Sequence, residues 1–179
     1  MKTTQILIAG FGGQGILFSG KFLAYKGLIE ELQVSWLPSY GPEMRGGTAN
    51  CNVILSDLPV GSPIITVPDV LIAMNLPSLQ KYVDAVAPGG QIYVDSSLID
   101  ARVDRADVEV FYIPATQMAK DAGIGSLANM IIIGHLLENH PELSFCGTDK
   151  VVESLVPPKK AALKELNMKA LELGKNYNK

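Results

Sequence analysis

Apolar and polar positions along the chain fall into blocks whose period switches between that of a strand and that of a helix. Ile6-Leu7-Ile8-Ala9 is a short apolar run ending in Gly10-Phe11-Gly12-Gly13-Gln14-Gly15, and Ile16, Leu17, Phe22, Leu23 and Leu28 then return at helical intervals. That is the layout of a strand turning sharply into a helix. The helix is expected from about Gly13 to Leu28, with Lys26 and Gly27 suited to its last turn. Val34-Ser35-Trp36-Leu37 reads as a second strand, so the opening unit is strand, helix, strand, which implies a right-handed parallel crossover. Residues 48–56 (TANCNVILS) begin by alternating polar and apolar, as a strand with one buried face does, and pair antiparallel if no helix precedes them. Residues 57–63 are a turn-rich excursion, read as a hairpin or subunit-contact arm that ends by Pro68. Residues 69–74 read as a buried parallel strand stopped by Asn75, which is placed to cap the helix starting at Pro77-Ser78.

The same alternation continues to the end. Residues 91–95 and 108–113 are strands, the first introduced by Pro88-Gly89-Gly90 and closed by Ser96-Ser97. Pro114-Ala115-Thr116 opens a helix to about Ala122, Gly123-Ile124-Gly125 breaks it, and Ser126 is expected to cap the next, residues 127–139. That helix carries Asn129-Met130-Ile131-Ile132-Ile133-Gly134, apolar nearly all round, and is therefore buried, under the sheet or against a partner subunit, with Met130 and the isoleucines as core. Residues 149–156 form a short helix. Residues 159–174 form an amphipathic one with Leu163, Leu166, Ala170, Leu171 and Leu173 on its apolar side and lysines on a solvated face; residues 176–179 should fray. Strands alternating with helices give an α/β fold: one three-layer domain over residues 1–179, Rossmann-like, with a mostly parallel sheet and helices on both faces.

Composition narrows the functional classes. A chain of 179 residues can bury roughly 70% of its unfolded surface. At 47% hydrophobic and 18% charged it is too apolar for disorder, and its sparse charge implies that part of the exterior meets other subunits. A net charge of −3 with scattered lysines and arginines is no nucleic-acid footprint, and no apolar run reaches the ~18 residues of a membrane span. Residues 1–5 lead straight into a strand rather than a signal peptide, so a cytoplasmic location is expected. Cys51 and Cys146 are too few for an iron–sulfur cluster and fit no zinc spacing; Cys51 reads as core and a disulfide is not expected. His135 and His140 sit near a helix end, one of them as a solvated or C-terminal capping residue.

Two stretches carry candidate chemistry. Gly10, Gly12 and Gly15 satisfy G-x-G-x-x-G: the first glycine is read as taking backbone angles a β-carbon forbids, the second as leaving the backbone bare, the third as letting the helix sit tight on the strand. The helix start then offers unpaired N–H groups and partial positive charge, so the turn is either an anion or nucleotide cradle or a tight connection that binds nothing. A dinucleotide fold would place an acid after the second strand to hold the ribose; this chain has Leu37-Pro38-Ser39, which counts against ordinary NAD or FAD binding and hence against a stand-alone nucleotide-dependent oxidoreductase. The second stretch, residues 38–48, combines two prolines and three glycines with Tyr40, Glu43 and Arg45. It leaves the carboxyl end of a parallel strand on the same edge as the glycine turn, where open parallel sheets bind ligands. Arg45 can grip a phosphate or carboxylate with two hydrogen bonds, or pair with Glu43 to stiffen the loop.

Together, Gly10-Phe11-Gly12-Gly13-Gln14-Gly15 and Ser39-Tyr40-Gly41-Pro42-Glu43-Met44-Arg45-Gly46-Gly47, with Ser56-Asp57, Pro68-Asp69 and Ala73-Met74-Asn75 further on, resemble the gamma subunit of the 2-oxoacid:ferredoxin oxidoreductases over essentially the whole chain. The run from Gly41 to Cys51 is most similar to the branched-chain and 2-oxoglutarate branches. The resemblance implies a complex that splits a 2-oxoacid on thiamine diphosphate with Mg, passes electrons through [4Fe-4S] clusters to ferredoxin and hands the acyl group to coenzyme A. It implies that the alpha, beta and ferredoxin-like partner subunits hold those cofactors and that this chain contributes coenzyme A binding and assembly, or assembly alone. The residues it implies for that role are Gly10, Gly12, Gly13, Gln14, Gly15, Tyr40, Glu43, Arg45, Gly46 and Gly47, with the amide of Asn75 also within reach of a ligand.

Overall fold

The computed structural model describes residues 3–39 and 48–178. Its sheet has six strands: β1 (Thr3–Phe11), β2 (Gln33–Ser39), β3 (Thr48–Ser56), β4 (Val70–Ala73), β5 (Gln91–Asp95) and β6 (Glu109–Ile113), in the order β2-β3-β1-β4-β5-β6. β1, β4, β5 and β6 are parallel neighbours, and β3 runs antiparallel to both β1 and β2. β2 thus points the same way as β1 but does not lie beside it. The strand–helix–strand unit spans one position, and β3, which follows without an intervening helix, fills the gap and leaves β2 at the edge.

Alternation along the strands divides the core between two faces. Ile6, Ile8, Cys51, Val53, Val70, Ile72 and Tyr93 face α1 (Ile16–Ile29), α3 (Ala115–Asp121), α4 (Ala128–Asn139), α5 (Thr148–Leu155) and α6 (Ala161–Lys175). Leu7, Leu71, Ala73, Ile92 and Val94 face α2 (Leu76–Tyr82) and the segment carrying Val86 and Ile99. The layers are therefore unequal, with five α-helices on one face and one on the other among the described residues.

Several sequence expectations shift. α1 starts at Ile16, three residues after Gly13, because Gly13 and Gly15 take positive φ and cannot continue a right-handed helix. Ser126 does not cap α4: Leu127 is the cap residue, and no side chain bonds to the first turn. Residues 57–69 form no hairpin, and Leu58, Ile64 and Val67 stay exposed on an irregular excursion. α4 is buried from Ala128 to Leu137, inside this chain's own helical layer. α6 crosses it where Gly134 and Gly174 each face the other helix's backbone, so the buried side of α6 includes Asn167 and Gly174 while Leu163 lies exposed. His135 is neither solvated nor a cap. It is buried against Tyr93, Phe111 and Tyr177, while His140 caps the end of α4. Cys51 and Cys146 are both free, and burial pushes the Cys51 thiol up to about 12.

Candidate site at the carboxyl rim of the sheet

β1 and β4 end side by side, and the glycine turn leaves from β1 at this rim. Gln14 clips the turn shut. Its Nε2 donates to the Met74 carbonyl at 2.9 Å, and its Oε1 accepts from the Phe11 N–H at 2.6 Å. A side chain that spends both ends on main chain is a structural member of the turn, with its amide already occupied. Gly10 has no room for more: a β-carbon there would stand 2.6 Å from Gln14 Oε1 and 2.8 Å from Met74 Cβ.

The left-handed backbone falls at Gly13 (φ 96°) and Gly15 (φ 77°), not at Gly10, which is still strand. Nor does Gly15 set helix against strand. It is the cap residue of α1 and abuts Asn129 of α4, and the close approach of α1 to the sheet comes later, at Gly20 over Cys51 and Gly27 over Leu55. Gly13 is exposed, with nothing within 4 Å of where a β-carbon would be. Among the described residues no side chain caps α1, and no acid occupies its first turn. The Ser19 N–H returns to the Gly15 carbonyl at 2.9 Å, and the earlier N–H groups at the positive end of the helix dipole make no helical bond. This is the geometry that accepts an anion.

Asn75 does the expected capping: its Oδ1 accepts from the Ser78 N–H at 2.8 Å. Its Nδ2 is buried and has no hydrogen-bond partner among the described residues. Asp95, at the end of β5, is consumed locally, accepting from Thr116 Oγ1 at 2.5 Å and from the Ser97 N–H at 3.1 Å.

Tyr40, Glu43, Arg45, Gly46 and Gly47 lie outside the described residues. Their two attachment points do not. Ser39 is in register with Asn50, which pairs with Ala9, and Thr48 pairs with Phe11. Both ends of that stretch therefore sit at the rim from which the glycine turn departs, Thr48 one strand spacing from Phe11 and Ser39 two spacings from Ala9, about 5 and 10 Å. The structure thus brings Gly10, Gly12, Gly13, Gln14, Gly15 and Asn75 to one rim.

Sequence reasoning passed over Asn129. Its Nδ2 donates to the Gly15 carbonyl at 3.2 Å and to Ser19 Oγ at 3.0 Å, so it fixes the cap of α1 from a helix more than a hundred residues away. The signal was present: an amide set in the apolar run from Ala128 to Ile133 must have a polar job. Among the described residues no group of three or more His, Cys, Asp or Glu is placed to hold a metal ion, and no helix is long and apolar enough to cross a membrane.

Comparison with known proteins gives a consistent result. Residues 5–177 match the family described as pyruvate ferredoxin/flavodoxin oxidoreductase. A ketoisovalerate oxidoreductase subunit, VorA, of Methanothermobacter marburgensis is 34% identical over 98% of this chain, which spans only 37% of that relative's length. The gamma subunit of a keto/oxoacid ferredoxin oxidoreductase from Geobacter sulfurreducens superposes with a TM-score of 0.79 at 31% identity, covering 96% of this chain and 95% of its own. A 2-oxoglutarate:ferredoxin oxidoreductase of Magnetococcus marinus, solved with 2-oxoglutarate, coenzyme A and succinyl-CoA bound, superposes with a TM-score of 0.87 at 27% identity over 98% of this chain and 31% of that one.

Proposed function

Because this chain belongs to the pyruvate ferredoxin/flavodoxin oxidoreductase family, we propose that it is the gamma component of a 2-oxoacid:ferredoxin oxidoreductase and that its carboxyl rim takes phosphate charge from coenzyme A. The reaction is 2-oxoacid, coenzyme A and oxidised ferredoxin to acyl-CoA, CO2 and reduced ferredoxin. Thiamine diphosphate, Mg and the [4Fe-4S] clusters belong to the alpha, beta and ferredoxin-like partners, and the assembly works in the cytoplasm. The carrying observation is the uncapped, acid-free N-terminus of α1, set beside an exposed positive-φ glycine at the rim where residues 39 and 48 tether the Arg45 stretch. The match to a relative solved with coenzyme A supports the choice of ligand. Ketoisovalerate and 2-oxoglutarate enzymes among the relatives support a branched-chain or 2-oxoglutarate substrate.

Arg45→Ala in the assembled complex tests it. A charge-assisted contact to phosphate is worth about 1.5–3 kcal/mol, so the KM for coenzyme A should rise about tenfold or more while the KM for the 2-oxoacid holds. An unchanged KM for coenzyme A would reduce the rim to an assembly surface.

A further inference from the structure

At the far edge of the sheet an aromatic stack is left open at one end. β6 pairs with β5 on one side and, among the described residues, with no strand on the other. Tyr93 of β5 and Phe111 of β6 are register partners, and their rings stack 4.7 Å apart at 15°. Tyr93 is fully buried, whereas Phe111, one strand further out, is half-buried. With no seventh strand beside it, the stack ends on the ring face that Phe111 turns away from Tyr93. A cavity of about 350 Å³ opens here, with Phe111, Tyr112, Tyr177, Ser96, Arg102 and His135 on its lining.

Two polar groups on that lining are unmatched. His135 is 6% exposed, and its Nδ1 lies 3.2 Å from the Gly174 carbonyl. A carbonyl only accepts, so Nδ1 carries the proton and Nε2 keeps a lone pair. Nε2 has no hydrogen-bond partner among the described residues, and it is not sealed from solvent. Arg102 makes no ion pair among the described residues, and its guanidinium carbon lies 4.2 Å from the centroid of the Tyr112 ring. The loop presenting it is pinned at both sides: the Val103 N–H donates to Tyr112 Oη at 2.8 Å, and Arg105 donates to the Val83 and Val86 carbonyls, each at 2.8 Å. A guanidinium laid on a ring by a pinned loop is pre-organised to grip a planar acid with two N–H groups.

These groups define an occupant. The open ring face calls for a planar aromatic body, Nε2 for an N–H or O–H donor on that body, and Arg102 for an acid. The acid is singly charged, because Arg102 is the one cation on the lining and the buried acid Asp95 adjoins Ser96, which opposes a second negative charge. The volume stands near the low end of small-molecule sites, roughly 300–1,000 Å³, which suits one ring system with a short acidic arm. We propose that this cavity binds a small aromatic monocarboxylate bearing a ring hydroxyl or ring N–H. The ring extends the Tyr93–Phe111 stack, the donor meets His135 Nε2 and the carboxylate sits on Arg102. The site is three strand spacings from the glycine turn, about 14 Å across the sheet, and does not rest on the coenzyme A reading.

An NMR titration of the full chain with 4-hydroxyphenylacetate tests this. Amide shifts should move at residues 110–113 and stay still at residues 10–18, with a Kd of about 1 mM or tighter for a ligand of this size. Phenylacetate, which lacks the donor for His135, should bind about fivefold more weakly. Arg102→Gln changes an exposed side chain and should weaken 4-hydroxyphenylacetate about tenfold, while 4-hydroxyphenylethanol, which lacks the acid, should bind wild type and variant alike. The comparison of ligands on the unaltered chain stands whatever the fate of the variant. No saturable binding overturns the assignment, as does an affinity for 4-hydroxyphenylacetate that both the loss of the hydroxyl and Arg102→Gln leave within about twofold. Tighter binding of adenosine 5′-monophosphate at residues 110–113 would make the cavity a nucleotide site and overturn it too.

Discussion

At the residue scale, Gln14 shows how the motif can mislead. Read as sequence, its amide in a glycine turn is a ligand candidate; in the structure both its ends are bonded to main chain, at Phe11 and Met74. Gln14→Glu keeps the acceptor and loses the donor, setting a carboxylate against the Met74 carbonyl. It should destabilise the chain by about 1–2 kcal/mol, read by urea unfolding, and raise the KM for coenzyme A through the added negative charge. His135 gives a second test. Burial holds its pKa below the usual 6.5, with the Gly174 carbonyl 3.2 Å from Nδ1 pulling the other way. The unfolded chain then binds a proton near pH 6.5 that the folded chain resists, so stability is full above about pH 6.5 and falls as pH drops below it. His140 is shifted in the same direction and contributes to the same window. Unfolding free energies at about pH 7.5 and 5.5 should converge in His135→Gln relative to wild type; an undiminished difference would remove His135 from that role.

At the scale of elements, most strands and helices were legible because the hydrophobic period is strong: β2 to β6 and the spans of α3 to α6 follow from it to within a residue or two, while β1 begins at Thr3, three residues before the apolar run that marks it. What was not legible depends on partners distant in sequence. The insertion of β3 between β1 and β2 is a pairing choice that no local pattern encodes. Gly134 falls inside the predicted helix of residues 127–139 and Gly174 at the end of the predicted last helix, and nothing local marks them as the point where α4 and α6 cross backbone to backbone. A methyl group at Gly134 would overlap the Leu171 carbonyl, which cannot swing away as a side chain can. Gly134→Ala should therefore destabilise the chain by about 1–3 kcal/mol or more, although alanine is the better helix former. A neutral or stabilising result in calorimetry would mean that the helices part easily.

At the scale of the whole molecule, the parallel strands decide where function sits. β1, β2 and β4 all end on one rim, so the glycine turn and both tethers of residues 40–47 meet there, although about 25 residues of helix and edge strand separate them in sequence. That convergence was legible from the order of elements. The hold of Asn129 on the cap of α1 was not, because that residue belongs to a helix that comes late in the chain and reaches α1 only by packing. The central claim is that this rim meets coenzyme A, and amide hydrogen exchange of the assembled complex tests it most directly. Coenzyme A should slow exchange at the backbone amides of residues 13–18, where the turn enters α1. Saturating coenzyme A that protects other parts of the complex and leaves those amides exchanging at their free rate would contradict it.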